Sequence, residues 1–474
     1  MLFTSFSFFV LLVITFIIYY LPFPFFKKAN TQILVLIISS LIFYGYNTPS
    51  LLFLLAFSGT INVITSYYVT YGLVKNRFIL ATTGIVINLL VLAFFKYSPL
   101  IGVTFFNTEN GIGNFLITIP LPIGISFFTF EGISLVIDTY KGHTEDKFKN
   151  LVNPSFVKHV RNSFFFIVFF PHLVSGPILK AHDFIPQIGN KEFKNIDWDY
   201  CFRTLVLGFF LKLVIADNLK DFTSQIEYPG FTTLSSVTLL TLLIGYSFQI
   251  FADFAGYSLI ALGLAGLFGY VLMQNFNFPY ISTSFSEFWR RWHISLSTFL
   301  KEYLYFPLGG NRKGKIRTYI NLSITMILGG LWHGAGWSYA VWGAFHGLAL
   351  AIERLINDRW KFVYKPYSFF FFFKILFIFL MVSLAWLLFK LPNFSQAIFY
   401  VKAIGSNFSY AVNYIIIFLV LLYSLPVIIL HSLYLKRQIN PSFLTKWNYL
   451  LYGILLFLII TNSGTAGAFI YFQF

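Results

Sequence analysis

EFWRRWHISLSTFLKEYLYFPLGGNRKGK (Glu287–Lys315) and, further on, GGLWHGAGWSYAVWGAFHG (Gly329–Gly347) belong to one stretch that differs from the chain around it. It holds three of the eight histidines, His293, His333 and His346, and the densest basic cluster, Arg312, Lys313, Lys315 and Arg317. Elsewhere hydrocarbon dominates: the 474 residues are 57% hydrophobic and 11% charged, with a mean hydropathy of +0.75. Soluble domains carry about 25% charged residues, so too little charge remains here to solvate a surface. The composition calls for an all-α polytopic membrane protein, where ionisable side chains are costly and mark function.

The net charge of +16 comes from 33 Lys and Arg against 17 Asp and Glu. Those positive residues sit in the gaps between apolar runs, a pattern that reports topology and not a nucleic-acid surface. Cys201 is the single cysteine, so an intrachain disulfide is excluded and no Cys/His metal pattern exists. The first apolar run, Leu2–Phe25, lacks a basic leader and a small-residue cleavage site, and reads as a retained span.

Working outward from the central stretch, apolar runs start at Leu2, Thr31, Ser50 and Phe78. Each is long enough for a crossing of about 17–25 residues. Lys27 and Lys28 follow the first run, and Lys75 and Arg77 the third, which places those loops in the cytoplasm and the N-terminus outside. Loop Tyr97–Pro122, with Glu109 as its one charge, then falls outside. In the next run Glu131, Ser134 and Asp138 share one helical face, which implies a bundle interior or wet cavity. Pro171, Gly176 and Pro177 break Ser163–Ile188, and basic residues flank it on both sides, so it reads as a re-entrant hairpin with His172 at its break.

Phe202–Ile215 crosses outward to an acidic loop with Asp217, Asp221 and Glu227. Leu239–Tyr270 is a long apolar run with Gln249, Asp253 and Gly256 on one face; Asp253 either acts in chemistry or pairs with an arginine to fix the bundle. Later spans fall near Ser368–Leu391, Ala411–His431 and Asn448–Phe472, with Lys361, Lys365, Lys436, Arg437 and Lys446 on the cytoplasmic side and the C-terminus outside. The pattern predicts about eleven crossings plus re-entrant and interfacial helices. Residues 1–474 read as a single integral membrane domain, without the internal repeats that inverted transporter halves would leave.

Taken as one helix, Glu287–Tyr303 has a polar stripe of Glu287, Arg291, Thr298 and Glu302, and an apolar side of Trp289, Trp292, Leu296, Phe299 and Leu300. That is an interfacial helix. His293 shares the apolar side, where an imidazole stays neutral and can accept a hydrogen bond or a proton. The loop FPLGGNRKGKIR is either a positive-inside anchor or an anion site in which Arg312 and Lys313 hold phosphates. Its spacing is not that of a Walker loop.

His333 lies between glycines and tryptophans, with Trp332 beside it and His346 on the following span. No carboxylate or cysteine stands at ligand spacing, which argues against a metal, and no GxSxG elbow supports a serine triad. What fits is a histidine serving as general base toward a hydroxyl, the need of an acyltransferase.

FFPHLVSGPI (Phe169–Ile178), YSFQIFADFAGYS (Tyr246–Ser258), NFNFPY (Asn275–Tyr280), Glu287–Gly314, LWHGAGW (Leu331–Trp337) and FIYFQF (Phe469–Phe474) together resemble the bacterial membrane-bound O-acyltransferases (MBOAT). The branch is that of the alginate O-acetylation membrane protein and the peptidoglycan O-acetyltransferase. The resemblance implies helices around a central tunnel in the inner membrane, with no bound cofactor. It makes His333 the essential histidine and puts His293 opposite it, with Trp332 and Asp253 orienting the site and Gln249, His172 and His346 in support. It implies acetyl-CoA as a cytosolic donor entering beside Arg312 and Lys313. The acceptor is then a surface polysaccharide reached through an extracytoplasmic SGNH-type acetyltransferase partner. Two other readings stand beside it: a transporter or flippase of an acyl or glycan precursor, and an acyltransferase acting on lipid.

Overall fold

The computed structural model describes residues 1–24, 28–174, 176–360, 367–391, 393–439, 448–465, 467, 469 and 470. Lys27, Lys361, Lys365 and Lys446, the Arg437 side chain, and residues 471–474 of the terminal motif lie outside them. Among the described residues the secondary structure is helical, with no β-strand. Five helices among the described residues are long and apolar enough to cross a membrane: Leu51–Tyr71, Val74–Phe105, Ser236–Leu267, Phe369–Lys390 and Tyr414–Lys436. Phe6–Tyr19, Ala29–Gly45 and Tyr449–Thr461 are shorter apolar helices. The chain packs as two compact units, residues 1–205 with 260–273, and residues 206–259 with 274–474.

In the first unit the polar residues of apolar helices meet one another. Asn62 and Asn88, both buried, exchange side-chain amide hydrogen bonds of 3.1 and 2.8 Å between the Leu51–Tyr71 and Arg77–Phe105 helices. The latter helix runs on through Tyr97 and Pro99 to Phe105, and a short helix covers Gly111–Thr118. Much of the expected Tyr97–Pro122 loop is therefore helix, because the apolar run continues as far as Phe105, is interrupted by the polar Asn107–Asn110 and resumes at Gly111.

Glu131, Ser134 and Asp138 do share a buried face of helix Ile125–Lys141, and the broken Ser163–Ile188 segment docks on it. His172 Nδ1 lies 2.7 Å from the Glu131 carboxylate. The Ala181 amide donates to Ser134 Oγ at 3.2 Å, and His182 donates to Asp138 at 2.7 Å from its ring and 3.2 Å from its amide. The helix Phe156–Val168 stops at Phe169, a single turn covers Phe170–Leu173 with Pro171 in its first positions, and extended chain follows. Residues Phe165–Leu173 are almost fully buried, so the broken backbone is enclosed by protein.

The second unit is built on the Ser236–Leu267 helix as far as Leu259, and on a hairpin of Lys315–His333 and Trp337–Arg359. Glycines set the hairpin's spacing. A Cβ on Gly343 would lie 2.8 Å from the Ile327 Cα, and one on Gly330 3.1 Å from Gly343, so the two backbones touch. The run Asn448–Phe472 is helical only to Thr461. Beyond it Ser463, Gly464, Thr465 and Gly467 are poor helix formers, and the Gly464 amide donates instead to the Leu213 carbonyl at 2.9 Å.

The Asn62–Asn88 pair gives a direct test of the first unit. Asn62→Leu strands the Asn88 amide in an apolar bundle and should cost about 1 kcal/mol. In detergent, thermal unfolding should show the Asn62→Leu/Asn88→Leu double variant losing less than the sum of the singles.

Candidate functional site

The expected single helix Glu287–Tyr303 is broken. Phe285–Arg291 and Ile294–Leu300 are separate helices, and His293 between them adopts a left-handed conformation, φ 43° and ψ 55°. A π turn, Lys301–Tyr305, ends the second. Sequence periodicity could not show the break because its cause is remote: the segment beginning at Asn275 inserts there. The Ile294 amide donates to the Asn275 carbonyl at 2.9 Å, and the Asn277 amide donates to the Arg291 carbonyl at 2.9 Å. Asn275 Oδ1 accepts from the Ser295 amide and hydroxyl at 3.2 and 2.6 Å, while its Nδ2 donates to Ser258 Oγ at 2.9 Å. The helical-wheel position of His293 therefore does not apply, yet its ring is fully buried, 4.6 Å from the Phe254 ring.

The polar stripe survives on the first half. Ser284 caps the helix and accepts from the Glu287 amide, and the Glu287 carboxylate accepts from the Thr283 amide and hydroxyl and pairs with Arg291 at 2.9 Å. Burial pushes this carboxyl up, but the Thr283 bonds and the Arg291 charge outweigh it and leave the group below its ordinary value.

His333 is the last residue of its helix and is buried, with extended chain beginning at Gly334. Its ring is enclosed by other rings: Trp332 at 5.2 Å, Trp342 at 5.3 Å, Phe389 at 5.1 Å and His293 at 6.0 Å. Trp332 also lies 5.9 Å from His293. The His346 ring lies 4.7 Å from Trp342, and its Nδ1 accepts from Trp289 Nε1 at 3.3 Å. Trp342 and Phe389 had no sequence signal beyond being aromatic residues in apolar runs.

Asp253 pairs with a lysine and not with an arginine. Lys212 Nζ lies 2.8 Å from Asp253 Oδ1 and 2.7 Å from Asp217 Oδ1, with all three side chains buried. Lys212 belongs to a π turn, Phe210–Ala216, that continues helix Trp198–Phe209. Gly256 lets the partner helix approach: a Cβ there would lie 2.9 Å from Gly208 O and Lys212 N. Gln249, one turn from Asp253, accepts from Thr223 Oγ1 at 2.5 Å. Lys212 was missed, although a lysine inside FFLKLVIA is itself the signal of an ionisable group within an apolar run. The same cluster takes the end of the chain. Lys212 donates to the Gly467 carbonyl at 3.1 Å, and the Ile470 amide donates to Asp253 Oδ2 at 2.7 Å. Phe469 packs at 4.5 Å on Tyr257 and 5.8 Å on Phe254, which in turn touches His293.

Of the residues singled out from sequence, His293, His333 and Trp332 come together, with His346 one ring away. Asp253 and Gln249 lie in the Lys212 cluster. Arg312 and Lys313 are exposed on a turn that Asn321 holds by donating to the Leu308 and Gly310 carbonyls at 3.3 and 2.9 Å. Lys315 and Arg317 are in the first turn of the following helix, and Lys315 pairs with Asp358 at 3.0 Å. His172 lies in the first unit, paired with Glu131.

Residues 113–425 match the family model described as MBOAT, the membrane-bound O-acyltransferase family. The chain belongs to that family. The MBOAT match includes the broken helix, the glycine hairpin and the aromatic enclosure of His333. The chain is 41% identical over 321 residues to a protein named "Probable alginate O-acetylase" from Azotobacter vinelandii, covering 67% of this chain and 60% of that one. It is 34% identical over 399 residues to a peptidoglycan O-acetyltransferase from Helicobacter pylori, covering 78% and 73%. A teichoic acid D-alanyltransferase from Bacillus subtilis is 27% identical over 253 residues, 51% of this chain and 61% of that one.

Two substitutions test how this MBOAT core is held. Asn275→Ala removes three side-chain hydrogen bonds at the break and should destabilise the chain by roughly 2–4 kcal/mol, read as a lowered midpoint of thermal unfolding. Lys212→Met leaves two buried carboxylates without their cation, a loss of about 3–5 kcal/mol. Adding Asp253→Asn should recover part of it in the same measurement.

Proposed function

We propose that this chain is an O-acyltransferase that takes an acetyl group from a cytosolic thioester, acetyl-CoA, and passes it across the inner membrane for O-acetylation of a surface polysaccharide. His333 acts as the general base. The observation that carries this reading is His333 at a helix end, 6.0 Å from His293 and walled by Trp332, Trp342 and Phe389. Membership of the family and the acyl-transfer names of its relatives support the same class.

In this scheme an acceptor hydroxyl gives its proton to the His333 imidazole as its oxygen attacks the thioester carbonyl carbon. The carbon–sulfur bond breaks, and the proton leaves with the thiolate as free thiol. His293 is the second polar group at the reacting centre, and Trp332 and Asp253 orient it. Gln249, His172 and His346 support the surrounding structure. The aromatic enclosure keeps bulk water from the thioester, which would otherwise be hydrolysed. Arg312 and Lys313, exposed on their turn, meet the phosphates of the donor.

The acceptor is alginate, peptidoglycan or a similar glycan, reached through an SGNH-type extracytoplasmic partner. The chain forms one integral domain of about eleven crossings with both termini outside.

Membranes given labelled acetyl-CoA together with the partner test the assignment. His333→Ala should lose about 10²–10⁴-fold in transfer rate while the protein still accumulates in the membrane. Unchanged transfer would remove His333 from the mechanism.

A further inference from the structure

Helices Trp337–Arg359 and Phe369–Lys390 leave a groove of about 450 Å³ between them. Phe285 and Ile378 are buried at its floor, while Leu348, Ile352 and Phe377 are exposed along its rim. Phe369–Lys390 is long and apolar enough to span a membrane, so the rim opens on hydrocarbon. We propose that this groove holds one acyl chain of an anionic membrane phospholipid, whose phosphate is met by Lys374 and Arg290. The lipid is a fixed ligand of the fold and not a reactant.

Length, chemistry and charge agree on this occupant. The groove follows the second helix from Phe370 to Met381, roughly 16 Å of helix rise, which is about half of a hydrocarbon core of about 30 Å and so the depth of one leaflet. Two polar side chains in its lining, Glu353 and Lys374, lie toward one end, the end at which the hairpin carries Lys315, Arg317 and Arg359. The Glu353 carboxylate is turned into the start of helix Phe285–Arg291, where it accepts from the Phe285 amide at 2.6 Å and the Ser286 amide at 3.3 Å. Arg290 and Lys374 both act on its charge. Two cations thus face one carboxylate, and the surplus is positive. Lys374 Nζ is held 5.4 Å over the Phe370 ring, at the groove's own edge, and Arg290 is exposed. A neutral headgroup would leave that surplus unanswered; a phosphodiester without a compensating ammonium answers it. The chain also has packing to do. Phe285 and Phe345 line the groove and lie 6.3 and 5.2 Å from the His346 ring. A void behind them would forfeit dispersion contacts that an acyl chain supplies.

The test uses the full chain in nanodiscs of equal phosphatidylglycerol and phosphatidylethanolamine, both carrying a diazirine in one acyl chain. Crosslinked peptides and lipids retained on the released protein are read by mass spectrometry. Phosphatidylglycerol should be retained about fivefold over phosphatidylethanolamine, with crosslinks concentrated in residues 345–357 and 370–381. Lys374→Gln should remove most of that preference while the protein still folds, since the side chain stands at the rim. Ala349→Trp fills the groove from its lining and should abolish the crosslinks there. Equal retention of the two lipids, an unchanged preference in Lys374→Gln, or crosslinks spread evenly over the apolar surface overturns the inference. Membranes given labelled acetyl-CoA should leave the retained phospholipid unlabelled; label in it would make the lipid an acceptor and overturn its part as a fixed ligand.

Discussion

A lysine buried between two carboxylates organises the second unit. Lys212, Asp217 and Asp253 are each nearly inaccessible to solvent, and a buried ion cluster of this kind is retained only when geometry and hydrogen bonding are complete. Three stretches distant in sequence must therefore agree on one position: the Phe210–Ala216 turn, the Ser236–Leu267 helix and the segment through Gly467 and Ile470. The π turn widens the helix by a residue per hydrogen-bonded loop, and Gly256 removes the side chain that would hold the helices apart. Phe469 is carried by the same arrangement against Phe254, whose ring bears on His293. The cluster is thus coupled to the candidate reacting centre by two layers of aromatic contact.

What could be read in the sequence depended on whether its cause was local. The single face of Glu131, Ser134 and Asp138 follows from helical period alone, and the structure has it. The break at Pro171 is a property of proline, and it is present too. Glycines around His333 implied close backbones, and the Gly330–Gly343 contact is that approach. The break at His293 was not legible, because nothing between Glu287 and Tyr303 interrupts a helix; hydrogen bonds accepted by Asn275 do. The partner of Asp253 was not legible either. An acid in an apolar run announces that a counter-charge is needed, but a lysine, an arginine or a histidine would each serve, and sequence distance does not rank them.

The backbone at His293 explains why the site can be both rigid and compact. A non-glycine residue in the left-handed region costs about 1–2 kcal/mol. Here that cost is offset by bonds a straight helix would forgo: Asn275 accepts three times at the break, from the Ile294 amide and from the Ser295 amide and hydroxyl. A continuous helix would have stacked His293 above Trp289 along one groove. The break turns the chain instead, so that Trp289 reaches His346 while His293 faces Phe254, Trp332 and His333. Two neighbouring parts of one segment thus bear on Trp342, one through His346 and the other through His333. Strain held by buried, satisfied hydrogen bonds does not relax with the solvent, and it holds the two imidazoles with ring centroids 6.0 Å apart, within the separation of about 4.5–7 Å at which rings pack on one another.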